Sequence, residues 1–186
     1  MRTFITVAGL MTGVALLATN VARGEESVPY DKLPLAPESA RVDLKNPVFT
    51  KPLAITNPLF PIAGMQQVIQ LGEDEEGKPK RVEFTLLPET KVIDWRGQKI
   101  ETRVVQFLAF LDGEIDEVAL DFHAQADDGA VWYFGEDVFN YGDGIIADHE
   151  GTWLTGRDGA PAMIMPANPK VGDVYRPEDV RNVVFE

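Results

Sequence analysis

Apolar and polar positions alternate along most of the chain beyond residue 64. Runs at 65–71, 81–87, 99–111, 114–126 and 130–141 either alternate or are rich in β-branched and aromatic residues, and a sixth follows at 145–154. A shorter piece at 91–95 reads as an edge or joins the first pair. Between the later runs stand Asp112-Gly113, Asp127-Asp128-Gly129 and Asp143-Gly144, each able to supply the positive φ that a tight hairpin requires. Strands adjacent in sequence are therefore predicted to pair as an antiparallel meander, and no helical period competes except weakly near the end. The expected fold is all-β, a single domain curved into an open barrel or clam.

Turn length sets which residues oppose one another. A two-residue turn at Asp112-Gly113 pairs Leu111 with Glu114 and sets Phe107, Val105, Arg103 and Glu101 against Val118, Leu120, Phe122 and Ala124. A three-residue loop ending at Gly129 sets Ala124, Phe122 and Leu120 against Trp132, Phe134 and Glu136. A two-residue loop would present Asp121, His123 and Gln125 instead; the first choice is preferred because it alone joins two apolar stripes, and a one-residue slip flips every side chain. Asp121 and Glu136 become cross-strand neighbours only in the rejected pairing. Asp143-Gly144 as a two-residue turn puts His149 opposite Val138, Gly151 opposite Glu136 and Trp153 opposite Phe134.

One face of this sheet then carries aromatic residues around a few charges, which is what a small-ligand cleft requires. Its expected ligand-binding residues are Arg103, Trp132, Phe134, Glu136, His149 and Trp153. A buried ion pair of Arg103 with Glu136 that binds nothing is the competing reading, since an unpaired buried charge costs several kcal/mol. His123 falls on the alternate face, where a solvated strand surface is the natural expectation.

Ahead of the meander, prolines at 29, 34, 37, 47, 52 and 58 rule out a helix over 25–56 and leave an arm that is either extended along the domain or disordered. The domain proper is expected over 57–186. At the start, Arg2, the apolar run 4–17 and the small residues that follow read as a signal peptide over 1–24, too short for a membrane span. The protein is thus expected to be exported, to the periplasm or beyond. No cysteine follows the apolar run, so neither a lipid anchor nor a disulfide is available.

Composition narrows the chemistry further. The 186 residues hold 17 basic and 30 acidic side chains, a net charge of −13, and removal of residues 1–24 takes away only Arg2 and Arg23. Such a surface repels nucleic acid and anionic lipid. After Ser39 there is no serine, so no Ser or Cys nucleophile is at hand for covalent hydrolysis. Acidic clusters at 73–76 and 127–128 lack the spacing of a calcium loop, and a lone histidine on each face does not make a zinc site. No metal and no cofactor are expected. The leading expectation is a non-catalytic module that binds a small molecule or peptide; a carboxylate-based enzyme or a calcium-dependent envelope scaffold is the alternative.

Three segments, Asn57-Pro58-Leu59-Phe60-Pro61-Ile62, the stretch from Asp121 to Gln125 running into Val131-Trp132-Tyr133-Phe134-Gly135-Glu136, and Gly151-Thr152-Trp153 leading to 164–175, resemble a group of exported bacterial β-meander proteins of unknown function. The resemblance implies a fold and a compartment, and no chemistry. It also implies further strands beyond the end of this chain, which would leave Val183, Val184 and Phe185 as an unpaired edge able to recruit a partner.

Overall fold

The computed structural model describes residues 36–180, 184 and 185. The expected signal peptide and the first third of the arm lie outside them. Six consecutive strands form the meander: β1 (Gln67–Glu73), β2 (Pro79–Trp95), β3 (Gln98–Leu111), β4 (Glu114–Gln125), β5 (Val131–Gly142) and β6 (Ile145–Asp148). Each pairs antiparallel with the next, and β7 (Trp153–Leu154) and β8 (Ala162–Met165) continue along β5, giving one open sheet of eight strands. The fold is all-β, as the alternation requires. A separate two-stranded ribbon pairs β9 (Asp179–Val180) with β10 (Val184–Phe185).

The hairpin tips form where turn chemistry places them. Asp112 and Gly113, and Asp143 and Gly144, all have positive φ, as do Arg96 and Gly97 between β2 and β3. Loop 127–129 closes through Ala126 N–H to the Ala130 carbonyl, and Ala124 stands opposite Trp132 as expected. The runs 81–87 and 91–95 are one strand, interrupted between Leu86 and Thr90 where Pro88 cannot donate to the ladder.

Away from the tips, bulges revise the register. In β4 the pairing passes from Phe110 opposite Ile115 to Ala109 opposite Glu117, leaving Asp116 as the extra residue. The apolar positions change parity there, from Ile115 to Val118, Leu120 and Phe122, and one inserted residue keeps them all on one face. Phe122 and Phe134 do share a face, in a core with Phe49, Ile93, Ile100, Val104, Trp132 and Met163. Phe107 does not; it lies with Val105 on the opposite side. A second core of Ile55, Ile62, Val105 and Val131 occupies that side, beside a cluster of Tyr133, Trp153 and Val180.

Both faces are covered because the described part of the arm packs on the sheet. Phe49 enters the first core and Ile55 the second. Polar side chains near the end of β4 hold the arm in place. Gln125 Oε1 accepts from the N–H groups of Thr56 and Asn57, and Asp127 Oδ1 accepts from Thr50 N–H and Oγ1. Asp128 pairs with Lys45. The acidic pair at 127–128 is thus an anchor for the arm.

Asn57 is the central pin. Its Nδ2 donates to the carbonyls of Gly129 and Pro166, each at 3.0 Å, while Oδ1 accepts from Leu59 N–H. The residue is 3 % exposed. Asn57→Ala strands these groups, so a loss of about 2–3 kcal/mol is expected. The urea midpoint measures it, and an unchanged midpoint would mean that the arm is not held here.

Candidate functional site

Segment 59–70 and the face of the sheet that carries Phe107 enclose a pocket of about 1000 Å³. Its walls are apolar: Leu59, Phe60, Ile62, Met65, Phe84 and Phe107. Glu117, Asp121 and His123 of β4, Tyr133 and Glu136 of β5, and Glu178 from the C-terminal segment supply its polar side. Alternation alone would not bring these residues together. Asp121 stands opposite Glu136, yet His123 stands opposite Tyr133, because β5 carries one extra residue between those pairs.

That residue is Gly135, at φ +118. Without it Tyr133 and Glu136 would point to opposite faces; the bulge re-aims Glu136 into the pocket beside Tyr133. The edge strand β7 follows the bend, with Leu154 opposite Gly135 and Trp153 opposite Glu136. A glycine in the middle of a strand is the one sequence signal that could have located this turn of the chain.

The polar groups are arranged in layers of contact. Tyr133 Oη donates to Asp121 Oδ1 at 2.9 Å, and the Tyr133 ring stacks on His123 with centroids 4.9 Å apart. Phe60, just beyond the arm, also packs on His123, with ring centroids 5.3 Å apart. Behind Tyr133, Trp153 meets it edge-on and donates from Nε1 to Glu178 Oε1 at 2.9 Å. His123 Nδ1 is buried with no hydrogen-bond partner.

Burial sets the electrostatics, and among the described residues no basic group acts on Asp121 or Glu136. Asp121 is pushed up to about 7, chiefly by burial, with the negative charges of Glu117 and Glu178 acting in the same direction and Tyr133 opposing. Glu136 is pushed up to about 9, again by burial first and then by Glu178 and Asp121. Burial also holds Glu117 above its usual range, aided by Asp116. His123 is pushed down to about 3 by burial, so its ring is neutral at physiological pH. The result is a carboxyl pair that retains protons beside a neutral imidazole.

Of the six residues expected to bind a ligand, Glu136 alone lines this pocket, and Trp153 stands behind it through Tyr133 and Glu178. Trp132 and Phe134 point to the opposite face and are core residues, because the Gly135 bulge separates them from Glu136. Trp132 also borders a smaller groove of about 470 Å³ on that side. Arg103 does not pair with Glu136; its Nε donates to the Leu53 carbonyl at 3.1 Å, since the shifted register sets Arg103 opposite His123. His149 is exposed, and its Nδ1 lies 2.6 Å from the Val138 carbonyl after a further bulge between β5 and β6.

Asp121, His123, Tyr133 and Glu178 are the residues that sequence reasoning missed. His123, expected on a solvated surface, is 4 % exposed because Phe60 and Tyr133 pack on its ring. Asp121 and Glu136 are neighbours although the three-residue loop forms as expected, because the bulge at Gly135 shifts the pairing by one residue beyond it. Among the described residues no three His, Cys, Asp or Glu side chains converge as metal ligands, and no helix is long and apolar enough to cross a membrane. No family model, curated protein or solved structure matches the chain.

Proposed function

We propose that the protein is an exported binding module that holds a small, largely apolar molecule in the pocket between segment 59–70 and the sheet. The pocket itself carries this reading: its volume is at the upper end of the range for small-molecule sites, and an apolar wall faces a few convergent polar groups. Strand-borne residues supply all of the polar side named above except Glu178, which favours a preformed site over one assembled on binding. The apolar run at 4–17 supports export.

Gly64 provides the test. It lines the pocket, has ordinary φ, and a Cβ added there meets nothing within 4 Å. Gly64→Trp should therefore fill the pocket and leave the fold intact. The neutral apolar dye Nile red is expected to bind the wild type with one equivalent and Gly64→Trp at least about tenfold more weakly, the loss of roughly 1.4 kcal/mol of contact. Binding that ignores the tryptophan, or no dye binding at all, would remove the proposal.

One observation favours a second reading, a carboxylate-based enzyme. Asp121 and Glu136 face each other across strands with their pKa values held at about 7 and about 9, and two carboxyls held apart in this way can divide the roles of base and acid. Turnover of an ester or glycoside by the wild type and not by Asp121→Asn would put catalysis first.

A further inference from the structure

We propose that β1 pairs antiparallel with β1 of a second copy of this chain, about a two-fold axis at Gln70, so that the two sheets run into one. The joint goes beyond the pocket reading and does not depend on it. It follows from the free edge of the sheet, the phase of its hydrogen bonds and the order of its side chains.

β1 is the first strand of an open sheet, and among the described residues nothing pairs with its outer side. All seven of its residues are exposed, Ile69 at 54 % and Leu71 at 79 % among them. Edge strands are guarded against other chains by lysine, proline, a bulge or short length. β1 has none of these: it holds no lysine or proline, and it pairs with β2 without a register shift. The opposite side of the sheet ends in β6, β7 and β8, of four, two and four residues. Among the described strands, β1 alone therefore offers a long unguarded ladder.

The phase of that ladder is fixed by β2. Leu86 N–H donates to the Gln66 carbonyl and Asp74 N–H to the Lys78 carbonyl, each at 3.0 Å. Even-numbered positions thus bond to β2, and alternation turns the N–H and C=O groups of Gln67, Ile69, Leu71 and Glu73 outward. Two such edges related by a two-fold axis at Gln70 bring these positions together as hydrogen-bonded pairs. About eight backbone hydrogen bonds form, and no group in β1 leaves its bond to β2.

That register also matches the side chains. It sets Ile69 against Leu71, Val68 against Gly72 and Gln67 against Glu73 of the other copy. Val68 and Gln70 border the pocket and Ile69 and Leu71 do not, so four exposed apolar side chains meet across the axis on the far face. The neighbouring registers of the same phase are worse. Centring on Ile69 sets Leu71 against Gln67, and centring on Leu71 sets Glu73 against Ile69.

Charge permits the contact although the chain carries −13 overall. Glu73 is the only charge in β1, and its two copies stand at opposite ends of the joint, about 20 Å apart. That exceeds the screening length of about 8 Å at physiological salt. The acidic tip at 73–76 of each copy passes 64–67 of the other, where no residue is charged. A two-fold joint closes on itself, so it yields a dimer and not a filament. Gln70 of each copy then stands beside the mouth of the other's pocket.

Sedimentation equilibrium of the intact chain tests this, and a reversible monomer–dimer equilibrium is expected at about 1–200 µM. Leu71→Lys puts a charge against Ile69 of the other copy and should raise the dissociation constant at least about tenfold. Ile145→Lys, a comparable change at an exposed position on β6, should leave it unchanged. Because the copies repel overall, the dimer should tighten as salt rises from about 10 to 150 mM. The chain has no cysteine, so single cysteines read the register. Gln70→Cys places two thiols in a non-hydrogen-bonded pair, with Cα atoms about 4.5 Å apart, and should form a disulfide-linked dimer under mild oxidation. Val68→Cys places them about 14 Å apart and should not. An unchanged urea midpoint checks that Leu71→Lys folds, and if it does not the two cysteine variants decide. A chain that stays monomeric throughout, open polymers, a dimer indifferent to a folded Leu71→Lys, a dimer that dissolves as salt rises, or Val68→Cys linking as fully as Gln70→Cys would each overturn the proposal.

Discussion

Gly135→Ala is expected to destabilise the protein by about 3–5 kcal/mol, the sum of a strained backbone and an overfilled site. The backbone at φ +118 is one that a residue with a Cβ rarely adopts. The added carbon would also stand inside contact distance of the Trp153 carbonyl oxygen and 2.9 Å from Leu154 Cα, both main-chain atoms of the paired strand β7. Neither can yield without opening the β5–β7 ladder. Gly144→Ala at a hairpin tip is the control, since it has a positive φ but open space around it, and should lose only about 1 kcal/mol. Urea midpoints of the two variants compare them. Equal losses would mean that the bulge is not locked by β7. A folded Gly135→Ala protein that had expelled its bulge should also lose the pocket, because Glu136 would swing to the Phe134 side.

Stability is expected to fall as pH rises from about 6.5 to 9, and Glu136→Gln should remove most of that fall. The folded-state pKa of Glu136 lies at about 9 against an ordinary 4.5, and that of Asp121 at about 7 against 3.8. A carboxyl whose folded pKa is raised binds its proton more tightly in the native state. Its contribution is whole below the unfolded value and is lost as pH rises through the folded value. His123 has the opposite sign: its pKa is depressed from 6.5 to about 3, so its contribution is present above 6.5 and is lost as pH falls toward 3. Above 6.5 it is silent, and the carboxyls act alone. At about 1.4 kcal/mol per pH unit, Glu136 accounts for a loss of about 3 kcal/mol over that interval. Carboxyls held low by partners, such as Asp43 and Asp128, titrate well below the window. Thermal melts of wild type and Glu136→Gln across the range measure the effect. A wild-type curve that is flat or rising would place Glu136 in contact with water or with a cation already bound.

The proposed binding role and the expected fall of stability with pH have one cause, the burial of Asp121 and Glu136 with no basic partner among the described residues. Proteins tolerate such groups where function requires them, at a cost in stability that the rest of the core offsets. Here the offset comes from a continuous aromatic core on the far face, around Phe49, Phe122, Trp132 and Phe134.

Strand order and hairpin tips were legible from the sequence because they depend on local preferences. Asp-Gly pairs accept the positive φ of a two-residue turn, and alternating residues accept the pleat, whatever lies elsewhere in the chain. The all-β meander and the core pairing of Phe122 with Phe134 follow from those preferences. The site was not legible, because it depends on single inserted residues. Asp116 and Gly135 each shift the pairing by one position, and with a side-chain period of two each shift exchanges the faces beyond it. That exchange moved Glu136 away from Trp132 and Phe134 and brought it to Asp121, His123 and Tyr133. The segment at 57–60, where the arm joins the domain, completed the change: Asn57 and Gln125 fix it through contacts 68 to 109 residues distant in sequence, and Phe60 then buries a histidine that strand alternation alone would leave in water. Local chemistry determined the strands, whereas the faces they present were decided by packing between segments that share no local signal.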